Sequence, residues 1–385
     1  MSVQSVEASA GRNRTPVAVV TGSRAEFGLL RPVMKAIAAR PELDLLVVAA
    51  GSHLVPPAET LREIKAEFNV ADLVPMQVVG REGRFEDAEA AGRGIQKFAR
   101  SFERLMPAWI VVLGDRIEAF AAGAAASIAG IPLAHIHGGD RAEGVADEAM
   151  RHALTKLAHL HLAATATAAE RIVRMGEKPE HVHVVGSPAI DGLAGIPELD
   201  DKAWEDLGAP DTIFLMHPVG RSMDEEHRAA AGVLDALRQE RRRVLAMSPN
   251  LDPGRTGIVK AIDESGYTTR AHLPRDRFAG AMKRLSRTGG VLVGNSSAGL
   301  IEAAALQVPT VNIGPRQAGR ERAGNVVDAA AETPEAVREA LVKARAIDRT
   351  AITHPYGDGK SGERISDVLA RTPGDASLLR KRNTY

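Results

Sequence analysis

The sequence alternates short, almost wholly apolar runs with longer amphipathic stretches, and the apolar runs end on glycine, charged residues or histidine. Residues 111–161 show this most clearly. Trp109-Ile-Val-Val-Leu113 leads into Gly114-Asp115-Arg116, and a helical segment follows. Residues 131–136 then end in His137-Gly138-Gly139-Asp140, ahead of Glu143, Asp147, Glu148, Arg151 and His152. An apolar run of this length suits a strand covered on both faces, the condition of a parallel sheet. Ligands of open parallel sheets bind outside the carboxyl ends of the strands, so these two strand ends are where the chemistry is expected.

The same pattern predicts strands at 17–20, 43–50, 73–79, 109–113, 131–136 and 181–185. Helices are predicted between them at 27–39, 57–68, 86–106, 117–129, 147–158 and 167–175. Periodicity fails over 187–211, where Pro188, Pro197 and Pro210 fall among glycines and acids, as in an interdomain linker. A second series has strands at 212–216, 243–247, 267–272, 291–294 and 310–313, with helices at 223–239, 254–265, 275–286, 297–306 and 334–346. A terminal helix is predicted at 356–370, before the basic Arg380-Lys381-Arg382.

The 385 residues exceed what one core holds. The expectation is therefore an α/β chain of two Rossmann-like domains with a cleft between them: a flexible leader at 1–15, a first domain at 16–190 and a second at 191–357. A composition of 44% hydrophobic and only 3% aromatic residues builds the core from Ala, Val, Leu and Ile, as this architecture does.

Lys+Arg and Asp+Glu are equal at 49 each, so no global field draws the chain to nucleic acid or a membrane. Zero cysteines excludes disulfides, a thiolate nucleophile and sulfur-ligated zinc. With no apolar signal or spanning segment in the sequence, a cytoplasmic location is expected.

Several constellations carry chemistry. Val291-Leu-Val-Gly294-Asn295-Ser296-Ser297-Ala-Gly299 runs an apolar strand into small polar residues and a helix start, which suits a phosphate cradle, with Ser297 also an N-cap. Glu302, one turn further on, could accept ribose hydroxyls. Arg24, Arg316 and Arg320 follow strands and suit phosphate through their two-pronged guanidinium groups. Arg116 sits beside Asp115 at the cleft, and His217, ending the first strand of the second domain, could donate to a leaving diphosphate.

Asp115, Asp140, Glu143 and Asp147 are the acid/base candidates, since carboxylates in one crevice can be driven to different pKa values. For Glu148 an i,i+4 pair with His152 suffices. Of the pairs His135/His137, His159/His161 and His181/His183, none has a third metal ligand at recognisable spacing, so packing and hydrogen bonding are expected, with His137 lining the site. Neither metal nor cofactor is expected. Gly294-Asn-Ser296-Ser-Ala298 also brushes against a nucleophile elbow, with Asp328 and His354 as later partners, and Gly359-Lys360-Ser361 is half a P-loop with no strand before it.

Taken together, Thr21-Gly-Ser-Arg24-Ala-Glu-Phe-Gly, Leu113-Gly-Asp-Arg116, His135-Ile-His-Gly-Gly139, Asp147-Glu-x-x-Arg-His152, Pro249-Asn-x-Asp252, Gly294-Asn-Ser-Ser297-x-Gly-x-x-Glu302 and Val308-Pro-Thr-Val-Asn-Ile-Gly-x-Arg316-Gln-x-Gly-Arg320 resemble the hydrolysing UDP-N-acetylglucosamine 2-epimerases of sialic-acid and related pathways. The resemblance implies a fold similar to GT-B glycosyltransferases, with residues 358–385 returning as a C-terminal helix to the first domain. It implies a homodimer or homotetramer acting on a UDP- or GDP-linked amino sugar: a base takes the C2 proton, the nucleoside diphosphate leaves a glycal, and water adds to give a free sugar. It assigns Asp115 and the acids after Gly139 to proton transfer, His217 to the leaving phosphate, Arg24, Ser296, Ser297 and Arg316 to phosphate, Glu302 to ribose, and Asn250 and the segment around His272 to the nucleotide's vicinity. One departure is Asp140, where relatives usually carry a glutamate. A non-hydrolysing epimerase, a glycosyltransferase and a silent nucleotide-sugar sensor are the rival readings.

Overall fold

The computed structural model describes residues 14–56, 60–81, 83–142, 147–250, 252–374 and 376–384. Its first half holds strands β1 Thr15–Thr21, β2 Leu43–Ala50, β3 Val70–Val74, β4 Trp109–Leu113, β5 Leu133–Ile136, β6 Leu160–Ala163 and β7 Val182–Val184. Between them run helices α1 Arg24–Ala39, α2 Leu61–Glu67, α3 Arg84–Leu105, α4 Ile117–Ile128, α5 Asp147–Leu157 and α6 Ala166–Arg174. The second half holds α7 Asp201–Glu205, β8 Thr212–Leu215, α8 Met223–Gln239, β9 Val244–Met247, α9 Arg255–Ser265, β10 Thr268–Arg270, α10 Arg275–Arg287, β11 Val291–Gly294, α11 Glu302–Ala305, β12 Thr310–Asn312, β13 Val326–Asp328 and α12 Pro334–Arg345. Helices α13 Ser361–Arg371 and α14 Ala376–Leu379 end the chain.

Two parallel sheets result, in the orders β3-β2-β1-β4-β5-β6-β7 and β10-β9-β8-β11-β12-β13. Each reverses direction once, between β1 and β4 and between β8 and β11, and these topological switch points open a crevice at the strand ends. Helices cover both faces of each sheet. In the first lobe α1 and α13 pack one face, with Phe27, Leu30, Ile37, Ile365 and Leu369 buried, while α3 and α4 cover the other. Burying each such side chain is worth roughly 1.5–3 kcal/mol.

The lobes are joined on the α1 side, and the sequence explains how. Pro32 lies inside α1 and has no N–H to give the carbonyl of Gly28, four residues back. Arg275 of α10 supplies the missing donor, with Nη1 2.9 Å from Gly28 O, while its Nη2 reaches Ala189 O at 2.6 Å in the crossover. Asp191 in the same crossover accepts from the amides of Ser361 and Gly362 at 2.9 and 2.6 Å, so it holds the start of α13 as that helix returns to the first lobe.

Several elements differ from expectation. Strands β6 and β13 are extra; each is too short, at four and three residues, to show a period. The strand expected at 73–79 is β3, shifted to Val70–Val74, and the terminal helix begins at Ser361 rather than residue 356. Thr15, assigned to the leader, already pairs with Leu43 in the sheet; residues 1–13 of that leader lie outside the described residues. The helix expected at 297–306 is broken into a 3-10 turn at Ser297–Gly299 and α11. The Gly299 carbonyl accepts from Thr310 Oγ1 and Asn325 Nδ2, both at 2.9 Å, and is drawn away from the helical ladder.

Candidate active site

Asp115 stands just after β4, in a turn where Gly114 has φ +73°. Its carboxylate pairs with the guanidinium of Arg151 on α5, a side chain only 3% exposed. Arg151 also pairs with Glu148, whose Oε2 accepts from Ala142 N at 2.8 Å and whose Oε1 lies 3.2 Å from His152, the expected i,i+4 contact. Burial, then the charges of Arg320 and Arg316, push the Arg151 guanidinium down to about 9, which still leaves it protonated at neutral pH.

His137 and Asp140 form a second, enclosed group. His137 takes φ +63°, an uncommon backbone state for a non-glycine residue, and Gly139 turns the chain at φ +74°. A Cβ on Gly139 would stand 2.2 Å from Ala168 O. His137 Nδ1 lies 2.7 Å from Asp140 Oδ2 and Nε2 lies 2.9 Å from Ser187 Oγ. The carboxylate only accepts, so Nδ1–H donates to it. Burial would raise the Asp140 carboxyl; His137, Arg320 and Arg171 outweigh it and hold the group below the usual carboxylate range. His135 Nε2 donates to Gly114 O at 2.7 Å, and His159 Nδ1 accepts from Leu133 N at 3.1 Å.

In the second lobe the key positions follow β8, β9 and β11. At Gly294, φ is +151° and a Cβ would lie 1.9 Å from Leu215 O, so only glycine lets β11 run this close to β8. The next residue, Asn295, therefore meets His217: its Oδ1 accepts from His217 N at 2.7 Å and its Nδ2 donates to His217 O at 2.8 Å. Arg316 Nη1 and Gln317 Nε2 donate to the Asn295 carbonyl at 3.3 and 3.0 Å. His217 Nδ1 accepts from Asn250 N at 3.1 Å, which leaves the ring proton on Nε2. Loss of water and the nearby Arg316 push His217 down to about 3, with Asp252 pulling the other way, so the ring is a neutral donor.

The two groups face one another across the lobes. Arg320 Nη2 lies 4.0 Å from Asp140 Oδ2 and its Nε donates to Arg141 O at 3.4 Å; Arg116 Nη1 lies 3.5 Å from Asp252 Oδ1. Arg24 and His272 also come from different lobes, yet burial and then the charge of Arg24 lower His272 to about 4. Burial raises the Glu302 carboxyl, and Arg275, Arg320 and His137 oppose it. Glu302 lines a small cavity with Arg275, Phe278 and Met282. Ser296, not Ser297, is the cap, its Oγ accepting from Ala298 N at 3.4 Å. Glu143 lies outside the described residues, and Asp147 opens α5 with its side chain outside them.

The nucleophile-elbow alternative fails on partners. Asp328 accepts from Asn312 Nδ2 at 2.7 Å and Arg322 Nη2 at 2.9 Å, and His354 Nδ1 accepts from Tyr356 N at 3.3 Å.

Sequence reasoning assigned no role to Arg151, Asn295, Ser187, Glu26 or Glu118. Arg151 carried a signal, a basic residue three and four positions after two acids. Glu118, in the first turn of α4, has its side chain fully buried: Oε1 accepts from Gln77 Nε2 at 2.9 Å and Oε2 is 3.4 Å from Arg116 Nε. Glu26 accepts from Gly22 N at 2.7 Å, and burial, then Glu118, push its carboxyl up to about 8. Among the described residues no cluster of three His, Cys, Asp or Glu could hold a metal, and no helix is long and apolar enough to cross a membrane.

Residues 35–370 match the family described as UDP-N-acetylglucosamine 2-epimerase. The chain is 33% identical to the UDP-N,N'-diacetylbacillosamine 2-epimerase (hydrolyzing) of Legionella pneumophila, over 95% of this chain and 98% of that protein. It is 29% identical to a UDP-N-acetylglucosamine 2-epimerase of Neisseria meningitidis, over 91% and 93%. In fold it is similar to the Methanocaldococcus jannaschii UDP-GlcNAc 2-epimerase solved with UDP-GlcNAc and UDP, with a TM-score of 0.77 and 18% identity over 93% of this chain and 100% of that one.

Proposed function

The chain belongs to the UDP-N-acetylglucosamine 2-epimerase family, and we propose that it is a hydrolysing member, converting a UDP-linked 2-acetamido sugar and water into the free 2-epimer and UDP. The observation that carries this reading is the opposition of two charge groups across the cleft: Asp115 with Arg151 on one lobe, and His217 with Asn295 and Arg316 on the other.

In the proposed reaction Asp115 takes the proton from C2 of the sugar, and the C2–H electron pair forms a C1=C2 bond as the C1–O bond to the diphosphate breaks. Charge then grows on the β-phosphate, where a neutral Nε2–H of His217 and the guanidinium of Arg316 can meet it without reorganising. Asp140, held ionised by His137 and Arg320, and the acids at 143 and 147 are the remaining proton-transfer candidates for hydrating the glycal, in which water oxygen adds at C1 and a proton at C2. Arg24, Arg320, Ser296 and Ser297 are assigned to the diphosphate, with Asn250, His272 and Glu302 about the nucleoside.

The sugar most supported is the one in the name of the Legionella relative, N,N'-diacetylbacillosamine, with N-acetylglucosamine as the alternative. The test is product identity by NMR on both UDP-sugars. The expected result is UDP and a free 2-epimerised sugar; a product still carrying its nucleotide would make the enzyme a non-hydrolysing epimerase.

A further inference from the structure

The cleft has two unlike sides. The α1 side is packed with apolar residues, including Ala189, Ile190, Leu193, Ile301 and Tyr356. The opposite side is the mouth, where the first turns of α3 and α4 face the loops before α8 and α9. Arg116 and Asp252 meet there, 3.5 Å apart and 30% and 27% exposed.

Each partner is held from behind. Arg116 is backed by the buried Glu118, whose side chain threads between the ends of β1 and β2; a Cβ on Gly22 would lie 2.4 Å from its Cβ, and one on Gly51 2.3 Å from its Oε1. Asp252 offers Oδ1 to Arg116 and Oδ2 to Asn250 Nδ2 at 2.5 Å, while the Asn250 amide sets the His217 ring. One carboxylate thus joins the residue beside Asp115 to the residue that orients His217.

We propose that the Arg116–Asp252 pair is a strut across the mouth of the cleft, with Asp252 and Glu118 as positioning residues that bring the His217 side of the site into register with Asp115. The inference rests on the reading of the site given above for its kinetic consequence, but not for the strut itself. The pair is half-solvated, so it yields to salt and to entering substrate.

The test is a double-mutant cycle of R116A and D252A, with D252E and E118Q beside it, and thermal melting to confirm that each variant is folded. Small-angle scattering of the protein alone should give a larger radius of gyration for D252A, and for wild type at high salt; identical radii overturn the strut. With UDP-N-acetylglucosamine or its diacetylbacillosamine counterpart, D252A should raise KM about fivefold, D252E should recover most of the loss, and the double variant should be no worse than the worse single one. Losses that multiply would show two independent residues and overturn the coupling. A wild-type protein that turns over neither sugar would contradict the proposed function, and the scattering result would still decide the strut.

Discussion

Replacing Asp115 with asparagine should lower kcat by about 10³-fold, the scale of a lost proton-transfer group, while leaving UDP affinity within about twofold. Asparagine keeps the shape of the side chain and removes its capacity to take a proton. Arg151 would lose one anionic partner but keep Glu148, so the α5 end should stay in place. His217, Asn295 and Arg316, to which the proposed reaction gives the diphosphate, are held by contacts within the other lobe. Stopped assays of UDP release give kcat, and calorimetry gives UDP affinity. A variant retaining a tenth of the wild-type rate would remove Asp115 from the mechanism, and one that also loses UDP would make it a binding group.

The second large effect is expected at His217→Asn, a loss of about 10²–10³-fold in kcat, as for removal of one preorganised donor at developing charge. The ring is fixed at both ends of its residue: Asn295 holds the His217 backbone at 2.7 and 2.8 Å and Asn250 N holds Nδ1 at 3.1 Å. With its pKa lowered to about 3, the ring is uncharged across about pH 5 to 8. The variant should therefore fall below wild type by the same factor throughout that range in a pH–rate profile. A deficit that grows steadily toward acid would mean that the ring works as a cation.

Much of this site was legible because strand ends announce themselves. Asp115 and His217 each follow an apolar run, and an ionisable group there has no packing role to explain it. What escaped was set by long-range contacts. Arg151 serves Asp115 only because α5 packs with that face inward, which spacing along the helix does not fix. Asn295 stood in plain view within the Gly294–Gly299 stretch, but its clamp on His217 spans 78 residues of chain. The split of the helix after Ser296 depends on Thr310 and Asn325 capturing one carbonyl, a competition no local propensity records. Asp140 and His137 are three residues apart, and their bond depends on a backbone turn through φ +63°.

In the proposed reaction a carboxylate of one lobe removes the C2 proton while the other lobe receives the diphosphate. Turnover in heavy water, with the released sugar read by NMR, tests it most directly. The expected product is free sugar of inverted C2 configuration carrying deuterium at C2. Free sugar with its original configuration and protium at C2 would contradict it, since the diphosphate would then have left without that proton being touched.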